Sequence, residues 1–128
     1  MKMDKWEVYS NLYSNWLFVR NMGMNITQHP KVVKADRIVV YGLHNMGARV
    51  VEELELNKRE VAYGIDKGII VGIFDFDIYH TDDLLPEADL MIVTPVFFYD
   101  EIKKEMEKKF CGEIISLGEI IQDLRELL

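Results

Sequence analysis

Arg37-Ile38-Val39-Val40-Tyr41-Gly42-Leu43-His44-Asn45-Met46-Gly47 is the stretch whose reading decides the fold of this 128-residue chain. Its first half is a nearly continuous β-branched run, the composition of a strand buried on both faces of a parallel sheet. A glycine follows at once. Residues 45–57 then show helical spacing, with Met46, Val50, Val51 and Leu54 on an apolar side and Arg49, Glu52, Glu53 and Glu55 on the solvent side. Strand, tight turn and helix together open a crossover unit, whose next strand must run parallel to the first.

Downstream, Val61-Ala62-Tyr63-Gly64-Ile65 reads as the second strand and ends at Asp66. The stretch from Ile69 to Tyr79 allows two readings: a strand over 69–74, or a short one at Ile78-Tyr79 after an irregular excursion. Ile73, Asp75 and Asp77 alternate there with Phe74, Phe76 and Ile78, as in an extended segment with one wet side. Thr81 or Asp82 is expected to cap a short helical turn ahead of Pro86. Leu90-Met91-Ile92-Val93-Thr94 is another buried strand, stopped by Pro95. Residues 100–110 read as a helix, 113–115 as a last strand, and Ser116-Leu117-Gly118-Glu119 as the capping box of a final helix. Upstream, residues 5–21 form a helix rich in aromatic residues, and Gly23, Asn25, Thr27, His29 and Pro30 make a breaker-rich connector. The expected fold class is α/β: a small doubly wound parallel sheet of order 3-2-1-4-5, with helices on both faces and an added N-terminal helix. Residues 1–30 are the helix and connector, and 31–128 the α/β domain.

Composition narrows the function. Half the residues are apolar (49%) and the net charge is -7, a globular mixture. Residues 68–102 carry eight acids and no Lys or Arg, the opposite of the field a polyanion binder needs, so nucleic acid is excluded as the expected ligand. The apolar runs at 38–43 and 90–99 are shorter than the roughly 20 residues of a membrane-spanning helix. The start of the chain has no continuous apolar core and is expected to lack a secretory signal. A single cysteine, Cys111, fits a reducing, cytoplasmic setting.

The turn itself is where a ligand is expected. Aligned with Gly-x-Gly-x-x-Gly, the run Gly42, Leu43, His44, Asn45, Met46, Gly47 keeps the first and third glycines and has His44 in place of the second. The first glycine permits a tight turn, and the third a close contact of helix with sheet. Asp66 closes the second strand 24 residues after Gly42, where an acid accepts from a ribose. Thr94 and Pro95 end a strand on the same side of the sheet. A plain bend, a packing glycine and a solvated strand end are the competing structural reading of the same residues.

These strings, with Asp82-Asp83-Leu84-Leu85-Pro86-Glu87-Ala88-Asp89 and Ile115-Ser116-Leu117-Gly118-Glu119, resemble a Rossmann-like, NAD(P)-binding-like module of bacterial surface-polysaccharide systems. Such modules are associated with family-two glycosyltransferases and are similar to the nucleotide-binding part of nucleotide-sugar epimerases and dehydratases. The resemblance covers about residues 37–124. It implies an accessory or regulatory module with weak nucleotide or dinucleotide binding, NAD(P) or a nucleotide-sugar being the ligand classes, and a larger glycosyltransferase as partner. The alternative it leaves is a small NAD(P)-dependent oxidoreductase or nucleotide-sugar-modifying enzyme. The Tyr-x-x-x-Lys pair of the related enzymes has only a bare spacing match here, Tyr99 with Lys103, on an earlier helix than theirs.

Other constellations carry less. Asp75, Asp77, His80, Asp82 and Asp83 form a dense acidic stretch without the ligand series of an EF-hand. Cys111 has no partner pattern with His29, His44 or His80, and no catalytic or metal residue is assigned. Trp6, Tyr9, Tyr13 and Trp16, with Leu12, Leu17 and Val19, present more apolar surface than one side of a small sheet needs, which points to a homodimer through the N-terminal helix.

Overall fold

Four consecutive buried residues, Ile38–Tyr41, form β1 at the centre of the sheet. In the computed structural model, which describes residues 3–70 and 74–128, the other strands are β2 (Val61–Ile65), β3 (Ile78–Tyr79), β4 (Leu90–Val93) and β5 (Glu113–Ser116). All pair in parallel, in the order β3-β2-β1-β4-β5. Val39 lies opposite Tyr63 on one side and Met91 on the other, so the apolar runs of three strands fall into one register. This is a Rossmann-like sheet.

Alternate residues of β1 serve opposite faces. Ile38 and Val40 join Leu90, Ile92 and Ile115 in a core closed by α1 (Lys5–Asn21), α3 (Asn45–Leu56) and α5 (Leu117–Glu126). Val39 and Tyr41 face the other way, with Tyr63, Met91 and Val93, against α4 (Tyr99–Met106). Helices therefore cover both faces. Ser116 caps α5 by accepting from the Glu119 N–H at 3.0 Å, the first half of the expected capping box.

One open reading is resolved and two local expectations are corrected. The third strand is the short one at Ile78–Tyr79. Ile69, Ile70 and Phe74 are not in a strand, and positions 71–73 of the other reading lie outside the described residues. Ile70, Phe74 and Phe76 instead pack on the α3 side of the core, where a crossover helix would otherwise lie. The connector is not merely broken. Pro30 opens a short helix, α2 (Pro30–Lys34), at the position where its missing N–H costs nothing, and the His29 ring caps it by accepting from the Lys31 N–H. Residues 80–83 form a turn in place of a helical cap: His80 N–H donates to the Asp83 carboxylate (2.7 Å), and Asp83 N–H returns to the His80 carbonyl (3.0 Å).

The N-terminal helix belongs to the same core through Leu12, Trp16 and Val19. Its anchor is Glu53, read from sequence as solvent-facing and found 3% exposed. That carboxylate accepts from the Trp16 indole N–H (3.1 Å), the Arg20 guanidinium and the Ile26 backbone N–H (2.7 Å). A buried charge is tolerable when every lone pair facing the interior has a donor, and three donors from one stretch of chain provide that here. Glu53→Ala is expected to destabilise the fold by about 3 kcal/mol in urea denaturation, because it orphans buried donors. Glu52→Ala, which removes only the exposed partner of Arg49, is expected to leave the midpoint unchanged.

Candidate functional site

The turn after β1 is shaped by two glycines that touch. A Cβ on Gly47 would lie 1.8 Å from the Gly42 carbonyl oxygen, so the first turn of α3 packs directly on the backbone of the loop. Gly42 has φ +90°, and a Cβ there would meet Thr94 Oγ1 at 2.5 Å and the Pro95 ring at 2.7 Å. No side chain fits at either position. The Thr94 hydroxyl donates to the Gly42 carbonyl at 2.8 Å, tying the loop to the end of β4.

Asp66 holds the other side. One carboxylate oxygen accepts from the Leu43 N–H and the other from the Gly68 N–H, each at 2.8 Å. The residue expected to meet a ribose thus also fixes the loop, a role sequence reasoning missed. Each oxygen keeps a further lone pair. His44 stands in the second-glycine position with an ordinary φ of -80°, so no special backbone angle explains it. Its exposed ring puts Nε2 3.8 Å from Asp66 Oδ1. Asn45, Met46 and Gly47 open α3 ahead of its first helical bond, Ala48 N–H to the His44 carbonyl (2.8 Å). Their N–H groups have no acceptor within the helix and point out of its positive end, the arrangement that receives phosphate.

The turn lies between two clefts at the carboxyl ends of the strands. One, of about 680 Å³, is lined by Tyr41, Asp66, Lys67, Ile102 and Glu105 on the α4 side. The other, of about 440 Å³, is lined by Lys5, Trp6, Tyr9 and Tyr13 of α1 together with Asn45, Met46, Gly47 and Thr94. Gly42, His44, Pro95 and Phe98 border both. All the expected site residues except the buried Leu43 line these two walls, and Leu43 is itself held by Asp66.

Sequence reasoning did not find the first cleft's polar floor. Tyr41 is 3% exposed, and its hydroxyl has no hydrogen-bond partner among the described residues. Burial, with the nearby Glu105 and Asp66 carboxylates, pushes its pKa up to about 12, so it stays a phenol. Glu105 Oε1 is also without a hydrogen bond among the described residues, with Lys67 Nζ at 3.6 Å. A tyrosine closing an apolar run reads as core, and Glu101 and Glu105 read as a solvated helix face. Only the placement of α4 beside the end of β1 turns them into a cleft wall.

The remaining sequence candidates lie elsewhere. Tyr99 gives its hydroxyl to the Ile114 carbonyl (3.1 Å), and with Lys103 lines a separate hollow beside Lys31 and Glu119. The pair does not face the glycine turn. His80, Asp82 and Asp83 build their own turn, and no group of three or more His, Cys, Asp or Glu side chains among the described residues is close enough to hold a metal. No described helix is long and apolar enough to cross a membrane.

Comparison with known proteins finds no matching family model, no matching curated protein and no matching solved structure. What is established is the Rossmann-like fold, by its own topology.

Gly47→Ala is expected to cost about 3 kcal/mol or more in chemical denaturation, since a methyl cannot share space with the Gly42 carbonyl. Tyr63, whose hydroxyl donates to the Pro86 carbonyl, is likewise pushed up to about 12 by burial. Folding favours the phenol at both positions, so the stability it confers is intact below the ordinary value of 10 and lost as pH rises toward 12. Ultraviolet titration should therefore show Tyr41 and Tyr63 ionising last, with Tyr41→Phe and Tyr63→Phe each removing part of that late phase.

Proposed function

We propose that this chain is an accessory nucleotide-binding module that works by binding and not by catalysis, in the service of a glycosyltransferase-like protein of surface-polysaccharide synthesis. The observation that carries the binding half is the glycine turn. Backbone donors of α3 are presented at its positive end, the loop is locked by Asp66 and Thr94, and an adjoining cleft is lined by Tyr41, whose buried hydroxyl has no partner among the described residues. A diphosphate lies on those donors, the ribose beside Asp66 and the base in the Tyr41 cleft. The acids of that cleft, Asp66, Glu101 and Glu105, outnumber its one lysine, Lys67, which favours a ribose hydroxyl over a ribose phosphate.

The binding reading gains support from the direction of Tyr99 and Lys103, which face Ile114 and not the turn. The glycosyltransferase setting rests on the sequence resemblance alone. Self-association through α1 rests on the side chains that α1 leaves outside. Trp16 is committed to the core, whereas exposed Leu17 faces a groove shared with Leu56 of α3.

Calorimetry with ADP and NAD tests the binding half. His44→Gly should keep the fold and raise affinity roughly fivefold, about 1 kcal/mol, by clearing the mouth of the turn. If neither protein binds any diphosphate nucleotide, the proposal fails. Sedimentation over a roughly hundredfold concentration range tests self-association, which a persistent monomer would refute.

A further inference from the structure

We propose that α1 completes this site: the cleft between α1 and the glycine turn receives the second nucleoside of a dinucleotide whose diphosphate lies on α3 and whose first nucleoside fills the Tyr41 cleft. The inference rests on the nucleotide-binding reading above and assigns a ligand-binding role to the N-terminal helix.

The two clefts adjoin at the turn: Gly42, His44, Pro95 and Phe98 line both. A ligand centred on the α3 donors therefore has an arm's room on either side. A mononucleotide fills one and leaves the other to water.

The second cleft is walled by rings. Trp6, Tyr9 and Tyr13 come from α1 and Phe98 from the segment after β4. Flat heteroaromatic rings gain most from such walls, through stacking that needs no hydrogen-bond code.

The chain's two tryptophans divide the labour. Trp16 is buried and spends its N–H on Glu53, whereas Trp6 is 77% exposed although it lines the cleft. A large indole left in water beside an apolar hollow has no packing duty in the free protein. Tyr13 is held parallel to Trp16, with ring centroids 6.3 Å apart and planes 10° apart, so part of the wall is fixed before a ligand arrives. Lys5 adds charge. Its Nζ lies 5.3 Å from the Phe98 ring centroid, and Lys5 lines the same cleft as the α3 donors, where its charge favours a diphosphate.

Titration of the full chain with ADP, NAD and UDP-glucose, followed by calorimetry and by indole emission, decides the matter. NAD is expected to bind roughly tenfold more tightly than ADP, with a change in Trp6 emission that ADP does not produce. Trp6→Ala should bring NAD down to the affinity of ADP, leave ADP binding as it was, and keep the thermal midpoint. Equal affinities for ADP and NAD, or an advantage of NAD that survives Trp6→Ala, overturn the α1 site while the nucleotide reading stands. A Trp6-dependent advantage of UDP-glucose with none for NAD overturns the second-nucleoside assignment in favour of a sugar. Failure of all three to bind overturns the nucleotide reading and this inference with it.

Discussion

The Gly42 carbonyl oxygen occupies the space where a Cβ of residue 47 would be. Most of the site's geometry follows from that contact. With two backbones this close, α3 starts directly over the end of β1, its axis is aimed at the carboxyl edge of the sheet, and its unpaired N–H groups emerge at the mouth of the turn. Thr94 and Asp66 then act as braces. One binds the loop to β4 and the other binds it to the end of β2, so three neighbouring strands hold the turn over residues 42–44 in one conformation. A turn braced this way has its backbone donors ordered in the free protein, which is the preorganisation the proposed anion site needs.

Glu53 performs the corresponding task for the N-terminal helix. Burial of apolar area is by itself non-directional. A buried carboxylate is directional. By requiring the Trp16 N–H, the Arg20 guanidinium and the Ile26 N–H together, it fixes both the rotation of α1 and the path of the chain that follows it. That rotation sends Leu12, Trp16 and Val19 inward and leaves Trp6 and Tyr13 exposed near the turn. The stability of the helix and the shape of the second cleft thus have a common cause.

The strands at 38–41, 61–65 and 90–93, the helices after them and the sheet order were legible because buried parallel strands need continuous apolar runs and short crossovers leave few topologies. The glycine turn was legible for a similar reason: its constraints are local, and the residues that satisfy them are few. Less local features were not. Between β2 and β3, Ile70, Phe74 and Phe76 pack on the core, an arrangement that leaves no periodic mark. Pro30, read as a breaker, starts a helix because the His29 ring supplies the cap.

Sequence by itself determined the class of fold, the order of the strands and the position of the turn, since these depend on hydrophobic periodicity and on where glycine is tolerated. Tertiary structure alone decided what surrounds that turn. Glu53 is charged like Glu52, its neighbour on the same helix, and differs from it only because α1 lies across it. Tyr41 ends an apolar run and becomes part of a cleft only because α4 packs beside it without giving its buried hydroxyl a partner among the described residues. The roles of such residues are set by which elements meet over them, through contacts between positions distant in the chain, and periodicity along the chain carries no record of those meetings.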